Sequence, residues 1–143
     1  MVSARPPLNS QRQVISRGEV YWIEPASTAA AVDNDGIARP ASVEHAHPHV
    51  VVSDDVFNHS RITTVVVCAL TTNLQRGKEA GNVLLDDGEG DLPKRSVVVV
   101  SQISSVAKSE LGAFIGTLAA SRVDEIVAGL GFLQRSFFDR SRH

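Results

Sequence analysis

Three runs of β-branched residues decide what this chain can fold into: Val50–Val52, Thr63–Leu70 and Val97–Val100. Branching at Cβ restricts χ1 in a helix and packs well on a pleated surface, so each run is predicted as a strand. A polar turn, Ser53–Arg61, joins the first two. The second run stops abruptly at Thr71, Thr72 and Asn73. Polar residues at the ends of two buried strands are the pattern of a site on the rim of a sheet. His47 and His49 lead into one strand, and Thr71 leaves the other.

Around this stretch the pattern extends to a small all-β core with one helix. Residues 1–15 are polar, carry two prolines and read as a flexible tail. Arg17–Ile23 is the first strand, with Val20 and Trp22 on one face and Tyr21 and Ile23 on the other; the two aromatics are expected to split between core and surface. Residues 25–46 form a connection long enough to be functional or disordered, and Ala29–Ala31 allow at most a helical turn. Asp54–Ser60 is a turn or short helix capped by Ser53 or Asp54. Thr71–Lys78 reads as polar and mobile, Asn82–Asp86 as a short strand, and Gly88–Pro93 as a loop. Ser96–Gln102 is a strand buried on both faces, Ser105–Leu111 a helical turn, and Ala113–Leu118 a last strand.

Ser121 then opens an amphipathic helix with Val123, Ile126, Val127, Leu130, Leu133 and Phe137 on one stripe. Gly129 and Gly131 each weaken it by about 1 kcal/mol relative to alanine. The expected fold is mainly β (α+β): a small, partly open antiparallel barrel with a C-terminal α-helix. The expected domain spans 16–138, with residues 139–143 as a polar tail.

Composition narrows the function classes. A net charge of −2 gives no global basic field for nucleic acid, so any RNA contact must be a local patch. The longest apolar run, Val65–Leu70, is far short of the roughly 20 residues a membrane helix needs. The first residues lack the apolar stretch of a signal peptide, and the one cysteine, Cys68, forms no disulfide framework. A cytoplasmic protein is the expectation.

Four blocks in fixed order resemble the MazF/PemK toxins of bacterial toxin–antitoxin pairs. They are Arg17–Trp22, His47–Ser53, Thr64–Thr72 and Asn82–Gln102, continued by Ile103–Ser105, Lys108, Leu111 and the terminal helix. The resemblance covers roughly residues 16–138. It implies an SH3-like barrel, a homodimer, and metal-independent cleavage of single-stranded RNA by 2′-hydroxyl attack, with no cofactor. It also implies an antitoxin partner that lays an extended acidic segment across the RNA groove.

That chemistry needs a base for the hydroxyl, an acid for the leaving 5′-oxygen, and donors for the phosphate. The family uses an arginine in an Arg-Pro pair and a threonine at the end of the third strand. Thr71 matches the threonine; His47, before Pro48, stands where the arginine is expected. Histidine lacks the bidentate, permanent charge of arginine. It exchanges a proton near neutral pH instead, with an unperturbed pKa of about 6.5. His47 is therefore the expected general acid or base, Thr71 a hydrogen-bond donor to phosphate, and Glu44 a complementary carboxylate. Thr72, Asn73, Arg76, Lys78, Ser101 and Gln102 are the expected RNA contacts, Gln102 through a base edge.

Each feature has a plainer reading. The alternation of His45, His47 and His49 suggests a metal, but no Cys, Asp or Glu cluster completes a ligand set, and His49 reads as an ordinary strand residue. Arg76, Lys78, Lys94 and Arg95 are the usual solvated cations unless RNA affinity falls with salt. Cys68, among apolar residues, reads as a buried, inert thiol. Two other functions remain open: a gyrase-poisoning toxin on the same barrel, and a degenerate toxin that only binds its antitoxin.

Overall fold

The computed structural model describes residues 14–24, 31–32, 38–39 and 46–141. Its strands are Glu19–Ile23 (β1), Ala31–Val32 (β2), Ala38–Arg39 (β3), His47–Val51 (β4), Thr64–Thr71 (β5), Val83–Leu84 (β6), Val97–Ala107 (β7) and Phe114–Thr117 (β8). The helices are Asp55–Asn58 (α1) and Ala120–Ser141 (α2), with single 3₁₀ turns at Leu74–Lys78, Glu89–Asp91 and Lys108–Glu110. Six strands make one curled antiparallel sheet in the order β6-β7-β5-β4-β1-β8. β2 and β3 pair only with each other, within the connection read from sequence as irregular, and Ala31 is in a strand there.

The consecutive valines are explained by a core on each face of the sheet. Val20, Val50, Cys68, Leu70, Val98 and Val100 lie in one cluster, which α2 closes with Ile126, Val123 and Leu130. Ile15, Tyr21, Ile23, Val51, Val65 and Val67 form the other, with Val106 and Leu111 against it. Successive strand residues point to opposite faces, so a strand covered on both sides must be apolar at every position. A slip of one residue would exchange the two sets, which pins the register. Tyr21 is buried and Trp22 half-buried, because both faces of β1 are covered rather than one.

β7 departs most from the expected pattern. It continues to Ala107, through the start of the expected helical turn, and only Lys108–Glu110 turns. Cys68 pairs with Ile103, yet Leu70 pairs with Val98. Residues 99–102 therefore stand opposite Ala69 alone, a wide bulge in β7. Val97–Val100 are buried, where α2 packs on β7, and from Ser101 to Ser105 the strand is exposed. The segment after Thr71 is likewise more ordered than its polarity suggests. Asn73 Oδ1 accepts from the Gln75 N–H at 3.2 Å and caps the 3₁₀ turn. Asp54 caps α1 by accepting from the Val56 N–H at 2.8 Å.

The two glycines of α2 have opposite roles. A Cβ at Gly129 would clash with the Gly81 carbonyl oxygen, whereas one at Gly131 would meet only the flexible end of the Arg135 side chain at 3.2 Å. Gly129 lets the helix backbone touch the loop before β6; Gly131 has no such duty. Gly131→Ala is expected to stabilise the fold by up to about 1 kcal/mol through helix propensity. Gly129→Ala is expected to destabilise it by about 1–3 kcal/mol or more through overpacking against backbone. Chemical denaturation of the two variants checks the opposite signs. The apolar stripe is also narrower than the sequence implies: Val127 and Leu133 are exposed, and the Phe137 side chain lies outside the described residues.

Candidate active site

The ladder between β4 and β5 positions the site. His49 pairs with Ala69, Val50 with Cys68 and Val51 with Val67. The rungs end at His49 and Ala69; His47 and Thr71 lie two residues beyond them, at the adjoining ends of the same two strands. Val50, Cys68 and Leu70 point into the core under α2, so His47, His49, Ala69 and Thr71 occupy the opposite face. On the flanks, Ile23 of β1 pairs with His47, and Val97 of β7 pairs with Thr71. Pro48 pairs with Trp22 of β1, and the rungs between β4 and β5 begin only after it, at His49.

His47 is exposed and Thr71 half-buried at the rim. The Asn73 N–H donates to Thr71 Oγ1 at 3.1 Å. That bond uses an oxygen lone pair and leaves the hydroxyl hydrogen for donation to another group. His49 is half-buried and its Nδ1 is 2.9 Å from the His47 carbonyl oxygen. Burial holds its imidazole below the ordinary histidine value, aided by the neighbouring His47 and opposed by that carbonyl bond.

The expected RNA contacts fall into two groups, one on the connection from β5 to β6 and one in β7, both on the β7 side of β5. Thr72, Asn73, Arg76 and Lys78 follow Thr71 on the connection to β6. Thr72 and Lys78 are exposed, and Asn73 Oδ1 serves the cap. Arg76 is gripped by Glu79, Nη2 to Oε1 at 3.0 Å and Nε to Oε2 at 3.1 Å. That hydrogen bonding raises the Arg76 pKa further and lowers that of Glu79. Ser101 and Gln102 are exposed in the β7 bulge, opposite Ala69. Arg95 is turned to Leu85 O at 3.0 Å and to Asp86 at 3.6 Å. Glu44 and His45 lie outside the described residues.

Among the described residues, no group of three or more His, Cys, Asp or Glu side chains is arranged to hold a metal ion. Cys68 is fully buried, and burial pushes its thiol up to about 12, so it is no nucleophile near neutral pH. No helix among the described residues is long and apolar enough to cross a membrane.

Residues 16–133 match the family described as PemK-like, MazF-like toxins of type II toxin–antitoxin systems. Over 117 residues the chain is 32% identical to the endoribonuclease MazF6 of Mycobacterium tuberculosis, covering 82% of this chain and 94% of that protein. The endoribonuclease MazF2 of Mycobacterium bovis matches to the same extent. Among solved structures, a mycobacterial endoribonuclease in complex with its cognate antitoxin superposes with a TM-score of 0.62 at 22% identity, covering 82% of this chain and 92% of that one. A MazE–MazF complex from Deinococcus radiodurans gives 0.60 at 17% identity, covering 85% and 95%. At these identities the superpositions speak for the fold, a curled half-barrel with a terminal helix.

Proposed function

From the premise that this chain belongs to the PemK-like, MazF-like toxins of type II toxin–antitoxin systems, we propose that it cuts single-stranded RNA at the β4–β5 rim. The observation that supports the assignment of residues is that His47 and Thr71 lie on one sheet face, at the adjoining ends of β4 and β5. A phosphate seated there meets an imidazole for proton transfer and a hydroxyl hydrogen for the charge that builds on its oxygens. The ribose 2′-oxygen attacks phosphorus, the bond to the 5′-oxygen breaks, and a 2′,3′-cyclic phosphate and a 5′-hydroxyl result. No metal takes part. Glu44 complements His47, while Thr72, Asn73, Arg76, Lys78, Ser101 and Gln102 hold the strand on either side of the cut.

The domain that does this spans 16–138, and the cytoplasm is where it meets mRNA. Its antitoxin lies across the same groove through an extended acidic segment. The active form is a homodimer, which gives a partner surface to apolar groups exposed on β7 and α2, among them Ile103, Phe132 and Leu133.

The test is incubation with total RNA in excess chelator, cut-site mapping, and repetition with a 2′-deoxy nucleotide at a mapped cut. Cyclic-phosphate ends and no cutting of the deoxy substrate are expected. Cleavage of the deoxy substrate would overturn the mechanism; intact RNA alongside trapped gyrase–DNA complexes would overturn the function.

A further inference from the structure

His49 follows His47 by two residues on β4. We propose that it is a second catalytic residue, whose Nε2 accepts the 2′-hydroxyl proton while His47 donates a proton to the departing 5′-oxygen. The inference rests on the RNA-cleaving reading of the same rim.

The tautomer follows from hydrogen-bond chemistry. A carbonyl oxygen can only accept, so the 2.9 Å contact with His47 O requires His49 Nδ1 to carry the hydrogen. In the neutral ring, Nε2 then holds a lone pair, the form a general base needs.

The placement also fits. His49 shares its sheet face with His47 and Thr71. Its partner across the ladder is Ala69, which has no atom beyond Cβ to stand between His49 and Thr71, two residues further along β5. His47 and His49 are one strand repeat apart, roughly 7 Å between Cα atoms, so two imidazoles can flank one phosphate. His49 is half-buried and His47 exposed. The more enclosed ring resists protonation and suits the base, which leaves His47 for the acid.

Among the described residues, the titratable groups near His49 on this face are few. They are His47 on its own strand and Tyr21 on β1, whose hydroxyl donates to Glu19 Oε1 at 2.7 Å. From β5 the facing residues are Ala69, Val67 and Thr71, none of which titrates in the working range.

The reaction balances. The 2′-O–H proton passes to His49 Nε2 as the 2′-oxygen forms its bond to phosphorus. The P–O5′ bond breaks, and O5′ takes the proton held by His47. His49 ends protonated and His47 neutral, and exchange with water resets both.

The experiment compares wild type, His49→Ala and His49→Asn on an RNA with a mapped cut, under single turnover across pH, with melting temperature and RNA affinity measured alongside. Asparagine retains an N–H for the His47 carbonyl but offers no basic nitrogen. Wild type is expected to lose activity on the acid side, as His49 becomes protonated, at a pH below the ordinary histidine value. His49→Asn is expected to fold and bind RNA as wild type does, cleave on the order of 10²-fold more slowly, and lose that acid limb. Added imidazole should restore part of the rate to His49→Ala. Wild-type cleavage by His49→Asn, or a loss with the acid limb intact and no imidazole rescue, would overturn the proposal. A wild type that leaves RNA uncut would instead sink the RNA-cleaving reading itself, an outcome that the variants do not mimic.

Discussion

Thr71→Val is expected to slow RNA cleavage by about 10²–10³-fold, the usual cost of one donor to a developing oxyanion, without unfolding the protein. Valine has the shape and β-propensity of threonine, so β5 and its rung to Val97 survive. What disappears is the hydroxyl. In the wild type its oxygen accepts from the Asn73 N–H at 3.1 Å, and its hydrogen is left to donate. The stability lost with that acceptor is at most about 0.5–1.5 kcal/mol, and less because Asn73 is exposed to water. Thr71→Ser keeps the hydroxyl and is expected to retain most of the rate. Single-turnover rates and thermal melts of both variants separate the chemical role from a structural one. Equal losses in the two would deny the hydroxyl its place.

Substitutions at His47 should divide by chemistry rather than by size. His47→Ala removes proton transfer, and a loss of about 10²–10⁴-fold is expected. His47→Arg restores the residue type that the family pattern expects before Pro48. A guanidinium binds phosphate through two parallel hydrogen bonds and stays charged, yet it does not give up a proton in the working pH range. His47→Arg should therefore bind RNA at least as tightly as wild type, with a steeper salt dependence. Its rate should lie between wild type and His47→Ala. The exposure of His47 makes its replacement safe for the fold.

The strands were legible because their residues are apolar for a simple reason. Val50–Val52, Val65–Leu70 and Val97–Val100 lie under cover on one face or both, and β-branched side chains suit such surfaces. Features that depend on distant partners were not legible. Helix propensity counts Gly129 as a weakness, but its reason is the carbonyl of Gly81, far away in the chain. The bulge opposite Ala69 is invisible in the run SVVVVSQ, because it arises from how β7 meets β5 and where α2 stops covering it. Burial of Tyr21 likewise needs knowledge that the sheet has cores on both sides.

The site divides in the same way. Thr71 stands out as the polar stop of an apolar run, and His47 as the residue before Pro48. Their shared face depends on the pairing of Val50 with Cys68, which no local pattern specifies. His49 offers only its spacing from His47 as a sequence signal; its carbonyl bond and partial burial are tertiary facts. Asn73 reads as a polar contact and also caps a turn, a second duty set by the backbone beyond it. Arg76 reads as a cation for RNA, but Glu79 and Asn82 share in holding that segment, with Asn82 Nδ2 donating to Arg76 O and Glu79 Oε1, both at 3.0 Å.

On the proposed function, an imidazole at position 47, on the same sheet face as Thr71, moves a proton during scission of an RNA phosphodiester. The direct measurement is the single-turnover rate of wild type and His47→Ala on one long RNA whose cut sites have been mapped. Unchanged cut positions in the variant and a rate reduced by at least about 10²-fold are expected. Cutting by His47→Ala at the full wild-type rate would contradict that role for His47.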